Sequence, residues 1–162
     1  MKKKIVIFGS TGSIGKTIID ILKKDKNNIQ IPLLTTNKNY KELLNQIKIF
    51  KVKNIIVTNP NKYKIINDKL KNKKINIYNN FDCLDKIFKN KRIDYVMNAI
   101  TGLHGLKPTI KIIKFTKKIA IANKESIICG WPLIVKNLKK FKTDFIPVDS
   151  EHFSIWSLIN SI

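Results

Sequence analysis

The chain has 162 residues, of which 43% are hydrophobic, so it can form one domain with a buried core but not two large ones. Its 32 lysines and arginines against 11 acidic residues give a formal net charge of +21. No apolar run approaches the roughly 20 residues of a membrane span, no secretory signal is recognisable, and two distant cysteines form no metal or disulfide pattern. We therefore expect a reduced, cytoplasmic protein with no membrane partner.

Short β-rich runs alternate with longer stretches of helical periodicity along the chain. This alternation, with strands of about five residues, predicts an α/β fold: a Rossmann-like, doubly wound and mainly parallel sheet with helices on both faces. In chain order, we predict a strand at Lys4–Phe8, a helix at Ser13–Lys24, a strand at Ile29–Thr35, a helix at Tyr40–Phe50, a strand at Asn54–Thr58, a helix from Pro60 to about Lys69, a strand at Ile75–Tyr78, a helix at Phe81–Phe88, a strand at Ile93–Ile100, a helix at Pro108–Phe115, a strand at Lys118–Ala122, a helix at Lys124–Leu138, a strand at Phe145–Val148 and a helix from Ser150 onward.

Three glycines follow the first predicted strand and open the first predicted helix. They lie in Gly9–Gly15 (GSTGSIG), at a spacing of GxxGxxG rather than GxGxxG. In such a turn the first glycine permits a sharp bend, the second lets a pyrophosphate approach the backbone, and the third lets the helix pack on the sheet. The helix N-terminus then offers N–H groups to the phosphates. We interpret the segment as a dinucleotide-phosphate site, with a purely structural connection between strand and helix as the alternative.

The end of the second predicted strand indicates which dinucleotide would bind. NAD-binding proteins commonly carry an acidic residue there, which binds the ribose 2′-hydroxyl. Here the sequence is TTNKN at 35–39, with no carboxylate and one cation. This favours NADP(H) over NAD(H), because Lys38 would pair with a 2′-phosphate. The alternative is that Lys38 is merely one lysine of a lysine-rich chain.

Two acidic residues lie close together after the last predicted strand, in Pro147–His152 (PVDSEH). If extended geometry continues there, Asp149 and Glu151 point the same way, and two carboxylates at one strand end suit Mg²⁺ or Mn²⁺. Asp149 or Ser150 would equally serve as the N-cap of the following helix, with Glu151 in its first turn. On the residues alone, both interpretations stay open.

Three motifs occur in order: GSTGSIG at Gly9–Gly15, NKES at Asn123–Ser126 and PVDSEH at Pro147–His152. Together they closely resemble the 1-deoxy-D-xylulose 5-phosphate reductoisomerase family, over essentially the whole chain, and Asn98–Gly105 (NAITGLHG) is similar to the family's segment after its fifth strand. The resemblance implies an NADPH- and metal-dependent enzyme that rearranges and reduces 1-deoxy-D-xylulose 5-phosphate to 2-C-methyl-D-erythritol 4-phosphate in non-mevalonate isoprenoid biosynthesis. The metal would act as a Lewis acid on the substrate's carbonyl and hydroxyl oxygens, and NADPH would supply the hydride.

The resemblance also implies roles for individual residues. Asn37 stands where the family commonly has glycine, and Asn is the non-glycine residue that best tolerates a left-handed backbone, which would preserve the turn. The implied cofactor contacts are Thr11, Gly12, Ser13 and Ile14 at the phosphates, Asn37, Lys38 and Asn39 near the adenosine ribose and its phosphate, and Asn123 and Glu125; the implied metal ligands are Asp149 and Glu151; the implied substrate-binding and catalytic residues are Lys124, Ser150 and Glu151.

Members of the family are more than twice as long as this chain. The resemblance therefore implies that residues 1–146 form the NADPH-binding domain and that residues 147–162 begin the catalytic, metal-binding domain. It also implies a homodimer for the full-length enzyme. We expect no turnover from these 162 residues alone, because two carboxylates leave a Mg²⁺ site open.

Two alternatives remain. Another NADP-dependent oxidoreductase with the same first domain, such as a semialdehyde or homoserine dehydrogenase, would explain the glycine turn but not PVDSEH. A nucleic-acid-binding protein would explain the charge, but only Arg92 is an arginine, and 31 lysines, 31 isoleucines and 18 asparagines make up 80 of the 162 residues. These three are the residues of A/T-rich codons, whereas arginine is the cation that forks onto phosphate. We interpret the charge as compositional and expect a sugar-phosphate substrate, not nucleic acid, as partner.

Overall fold

Strands and helices alternate along the chain in this computed structural model, which describes residues 2–148 and 150–160, without the side chains at 150–152, 155 and 160. Two short 3₁₀ turns, Phe81–Cys83 and Gly102–Gly105, precede the fourth and fifth helices. The elements are β1 (Lys3–Phe8), α1 (Ser13–Lys23), β2 (Ile29–Thr36), α2 (Tyr40–Phe50), β3 (Asn54–Val57), α3 (Pro60–Leu70), β4 (Asn76–Tyr78), α4 (Leu84–Phe88), β5 (Ile93–Asn98), α5 (Leu106–Ile113), β6 (Thr116–Ile121), α6 (Lys124–Phe141), β7 (Asp144–Pro147) and α7 (Ser150–Asn160).

The seven strands form one parallel sheet in the order β4-β3-β2-β1-β5-β6-β7. The direction of winding reverses at β1, where Val6 pairs with Leu33 of β2 on one side and with Val96 of β5 on the other. In a doubly wound sheet, such a reversal leaves a crevice at the carboxyl ends of the two strands. The predicted fold class is confirmed, and the glycine turn after β1 lies at this crevice.

A hydrophobic core covers each face of the sheet. Phe8 packs in the core that α4, α5 and α6 cover, and its neighbour Ile7 packs in the core that α1, α2 and α3 cover. Both side chains are fully buried. Because each strand is buried on both faces, the strands read as continuous apolar runs and not as alternating ones. No helix among the described residues is long and apolar enough to cross a bilayer.

The end of α6 differs from the predicted bounds, since the helix continues from Leu138 to Phe141. It stops where Lys142 takes a left-handed backbone with φ 51°, a common way for helices to end. Arg92, from the segment before β5, donates from Nη2 to the carbonyls of Phe141 at 3.2 Å and Lys142 at 3.0 Å. The end of this helix thus depends on a residue distant in sequence, which helical periodicity does not show.

Asp94 connects three neighbouring strands at the sheet edge opposite the crevice. Its carboxylate accepts from the backbone N–H of Lys4 in β1 at 2.9 Å and from Nζ of Lys117 in β6 at 2.8 Å. Both bonds favour the ionised form, and the Lys117 hydrogen bond is the main cause that holds the pKa of Asp94 below its usual value. The pairing of β1 with β5 therefore has an electrostatic component.

Candidate functional site

The glycines of the turn between β1 and α1 have different steric roles. Gly9 has φ +71°, and a Cβ there would lie 2.7 Å from the carbonyl oxygen of Ala99 in the loop after β5. A Cβ on Gly15 would collide with the Gly9 carbonyl, so that glycine lets α1 pack against the turn. A Cβ on Gly12 would meet only the Gly9 carbonyl oxygen, at an ordinary 3.5 Å. Apart from the chain neighbours, no other described atom lies within 4 Å of that Cβ position, so a ligand phosphate can approach the backbone on this side of Gly12.

The end of β2 holds the glycine turn through hydrogen bonds. The N–H of Gly9 donates to Oγ1 of Thr35 at 2.9 Å, and the N–H of Ser10 donates to the Thr35 carbonyl at 3.0 Å. The hydroxyls of Thr11 and Thr36 lie 2.5 Å apart. The predicted phosphate turn and the predicted ribose segment therefore lie side by side. Thr35 and Thr36, which carry most of this connection, were not predicted to have a role.

Within the 37–39 segment, the two asparagines support the local backbone and the lysine is exposed. Asn37 donates from Nδ2 to Oγ1 of Thr58 at 2.8 Å, while Oδ1 of Asn39 accepts from the N–H of Glu42 at 3.2 Å and caps α2. Asn37 is not among the described non-glycine residues with positive φ, so the expected left-handed backbone is absent. Asn37 therefore replaces the family's glycine without adopting a left-handed backbone. Because the two asparagine side chains bind within the protein, Lys38 is the side chain of this segment that can contact an anionic ligand.

A cleft of about 560 Å³ opens between the N-terminus of α1 and the loops after β5 and β6. Five of its lining residues belong to the predicted site, two from the glycine turn and three from NKES. Motifs that lie far apart in the sequence thus meet at one place in the fold. The residues lining the cleft are Ser13, Ile14, Ala99, Ile100, Thr101, Ala122, Asn123, Lys124, Glu125 and Val148.

Two buried asparagines fix the wall of the cleft at Ile100. Oδ1 of Asn98, at the end of β5, accepts from the Ile100 N–H at 3.1 Å, and Nδ2 of Asn123 donates to the Ile100 carbonyl. Nδ2 of Asn98 donates to the Gly105 carbonyl at 2.9 Å and to Oγ1 of Thr109 at 2.6 Å. The buried Oδ1 of Asn123 has no hydrogen-bond partner among the described residues.

The predicted metal site falls at the edge of the described chain. Asp149 lies outside the described residues, and Ser150 and Glu151 lie in the first turn of α7, but their side chains are not described. The prediction that Asp149 and Glu151 bind a divalent metal therefore stays a prediction. Among the described residues, no group of three or more His, Cys, Asp or Glu side chains could hold a metal ion.

Both cysteines are free thiols. Burial is the main cause that raises the pKa of Cys83 to about 11, so this thiol is neutral near pH 7 and lacks the thiolate character of a catalytic nucleophile. Cys129 is exposed on α6 and is not among the residues that line the cleft.

Comparisons with known proteins agree with the motifs. A sequence model of the 1-deoxy-D-xylulose 5-phosphate reductoisomerase family matches residues 5–130. The chain is 64% identical over 160 residues to the reductoisomerase of Pelagibacter ubique, an alignment that covers 98% of this chain and 41% of that protein. It is 35% identical over 159 residues to the reductoisomerase of Clostridium botulinum, with 97% and 41% covered. The chain thus spans about 41% of the length of these curated relatives.

Solved structures agree as well. The Zymomonas mobilis reductoisomerase in complex with NADPH superposes with a TM-score of 0.84 at 30% identity, covering 94% of this chain and 40% of that chain. A reductoisomerase in complex with NADPH, fosmidomycin and magnesium superposes with a TM-score of 0.83 at 30% identity, covering 93% and 37%.

Proposed function

The chain belongs to the 1-deoxy-D-xylulose 5-phosphate reductoisomerase family, and from this premise we propose that it forms the NADPH-binding part of such an enzyme. The observation that carries the proposal is the cleft, where Ser13 and Ile14 of the glycine turn lie with Asn123, Lys124 and Glu125 of NKES. The Zymomonas mobilis relative, whose fold this chain shares, binds NADPH. The reaction is the rearrangement and reduction of 1-deoxy-D-xylulose 5-phosphate in isoprenoid biosynthesis.

The described residues fit a dinucleotide with a 2′-phosphate. The open side of Gly12 and the first N–H groups of α1, which have no acceptor inside the helix, suit the pyrophosphate. The end of β2 carries no carboxylate that would repel a 2′-phosphate, and the exposed Lys38 supplies a cation there. The formal charge of +21 favours an anionic ligand in general.

We assign the remaining motif residues by their match to the family. Asp149 and Glu151 bind Mg²⁺ or Mn²⁺, and Lys124, Ser150 and Glu151 contact the sugar phosphate during catalysis. Magnesium in a related structure supports the choice of a divalent metal. When bound, NADPH supplies the hydride, and the metal polarises the substrate oxygens. The exposed Lys124, at the start of α6 on the cleft, places positive charge beside the polar oxygens of the substrate.

The same proposal includes the domain division and the setting of the enzyme. Residues 1–146 form the NADPH-binding domain, and residues 147–162 begin the catalytic domain. We propose a homodimeric enzyme of the cytoplasm, and the two free cysteines agree with a reducing compartment.

A calorimetric titration with NADPH and NADH tests the cofactor assignment. We expect NADPH to bind about ten- to a hundredfold more tightly, the range of one charge-assisted contact to the 2′-phosphate. Lys38→Gln should remove most of this preference by weakening NADPH alone. Lys41→Gln, at an exposed lysine in the first turn of α2, is the matched control and should keep the preference. Equal affinity of the unsubstituted chain for both dinucleotides would contradict the assignment.

A second experiment concerns the metal. Mn²⁺ binding to the chain, followed by electron paramagnetic resonance, should be abolished by Asp149→Asn and by Glu151→Gln, because the motif supplies only two carboxylates. NADPH oxidation in the presence of 1-deoxy-D-xylulose 5-phosphate should stay at background for these 162 residues. Persistence of Mn²⁺ binding in both variants would show that these two carboxylates are not the metal ligands.

A further inference from the structure

Gln46 is a polar residue on the buried face of α2. The buried residues of this helix are Leu43, Gln46 and Ile47, and Gln46 is 0% exposed. An amide placed among apolar side chains is destabilising unless hydrogen bonds compensate for its lost hydration. The partners of Gln46 therefore explain why an amide occupies this position.

Both described hydrogen bonds of Gln46 come from its amide nitrogen. Nε2 donates to the carbonyl of Ser10 at 3.0 Å and to Oε1 of Glu42 at 3.0 Å. The buried oxygen Oε1 has no partner among the described residues. An apolar residue of similar size would remove this unpartnered acceptor, but it would leave the Ser10 carbonyl without its described side-chain donor. The contact that remains to be explained is the one to Ser10, in the glycine turn.

The Ser10 contact determines which way the next peptide group faces. Ser10 is itself fully buried, and its own N–H and hydroxyl both donate to the Thr35 carbonyl, at 3.0 and 3.3 Å. The C=O and N–H of a planar trans peptide point in opposite directions. Because the Ser10 carbonyl points into the core at Gln46, the N–H of Thr11 in the same peptide points out of the core.

We propose that Gln46 is a positioning residue for the cofactor: by fixing the Ser10 carbonyl, it aims the Thr11 N–H at the phosphates of the dinucleotide. This inference rests on the proposed NADPH binding. Gln46 does not touch the ligand, and Glu42 orients it by accepting its second amide proton. The pyrophosphate is common to both dinucleotides, so the effect of Gln46 does not depend on the 2′-phosphate.

The test compares Gln46→Met with Asn45→Met, which makes the same change at the exposed neighbouring position of α2. Affinities for NADPH and NADH are measured by calorimetry at a temperature at which each variant is fully folded. We expect Gln46→Met to weaken both dinucleotides by about the same factor, roughly tenfold for one buried hydrogen bond. Asn45→Met should change neither affinity. A lower melting temperature with unchanged affinities would overturn the proposal, and so would a loss confined to NADPH.

Measurements without ligand separate this proposal from the proposed function. If the unsubstituted chain binds neither dinucleotide, the proposed NADPH binding is refuted. Nuclear magnetic resonance of the ligand-free chain still tests whether Gln46 fixes the glycine turn. We expect a shifted Thr11 amide resonance in Gln46→Met but not in Asn45→Met. In the unsubstituted chain, the Gln46 side-chain amide protons should exchange slowly, a result that requires no variant to fold. Rapid exchange of those protons, or an unchanged Thr11 amide, would overturn the positioning role.

Discussion

Replacement of Asn98 by leucine removes three hydrogen bonds, two of them buried and one partly buried, at nearly constant side-chain size. The lost bonds are those from Nδ2 to the Gly105 carbonyl at 2.9 Å and to Oγ1 of Thr109 at 2.6 Å, and that from the Ile100 N–H to Oδ1 at 3.1 Å. The Gly105 carbonyl keeps a bond from the Thr109 hydroxyl at 2.9 Å, whereas the Ile100 N–H loses its described partner. At about 1 kcal/mol for each bond, we expect the free energy of unfolding to fall by about 3 kcal/mol.

Urea unfolding followed by circular dichroism measures this difference. Asn137→Leu is the matched control, because Nδ2 of Asn137 makes only a local, exposed bond to the Leu133 carbonyl at 2.8 Å. We expect the control to stay within about 0.5 kcal/mol of the unsubstituted chain. An Asn98→Leu variant as stable as the control would refute the reasoning, since the loop at Ile100 would then be held by something other than this side chain.

Three further predictions concern the helix end, the sheet edge and the glycine turn. Arg92→Lys should lower the free energy of unfolding by about 1 kcal/mol, measured by thermal unfolding, because an ammonium on a shorter stem does not reproduce the Arg92 bonds to the carbonyls that end α6. The pKa of Asp94 is lower in the folded chain than its ordinary value, so its contribution to stability is present above that value and is lost as the pH falls through the lowered one. Unfolding midpoints taken from about pH 5 down to about pH 2 should therefore fall less steeply in Asp94→Asn than in the unsubstituted chain. Gly12→Val should leave stability nearly unchanged, because Gly12 has φ −76° and its Cβ would make only an ordinary contact with the Gly9 carbonyl oxygen. The same variant should weaken NADPH binding at least about tenfold in calorimetry by blocking the phosphates, and unchanged affinity would place the phosphates elsewhere.

The fold was predictable because its determinants are local in sequence. A strand buried on both faces needs a continuous apolar run, and Lys4–Phe8 and the later runs supply one each. Helices that cover the sheet need one apolar face, which Leu43 and Ile47 show at helical spacing. The glycine turn was predictable for the same reason, since close approach of backbones excludes side chains at Gly9 and Gly15.

The connections within the site were less predictable because they depend on contacts between distant segments. Nothing in the residues around Thr35 indicates that its hydroxyl and carbonyl hold the glycine turn. Two residues do indicate such contacts in the sequence. Gln46 interrupts the apolar face of α2, and Asn98 ends an apolar strand; a polar residue at a core position predicts a buried partner. The metal site was not predictable from the residues alone for a different reason. Carboxylates that follow a strand can bind a metal or cap the next helix, and both roles use the same residue types.

The position of β1 between β2 and β5 has a consequence for folding. One neighbour of β1 is β2, which follows it closely in the sequence. The other neighbour is β5, which is synthesised much later, as the pairing of Ile5 with Tyr95 shows. Until then β1 has an open edge, which is a template for incorrect pairing, and closure of such distant strands is slow. The walls of the cleft come from both sides of this junction, the glycine turn from the early half and the residues around Ile100 and Asn123 from the late half. A ligand held between those walls binds only the closed sheet, so by mass action it raises the population in which both edges of β1 are paired.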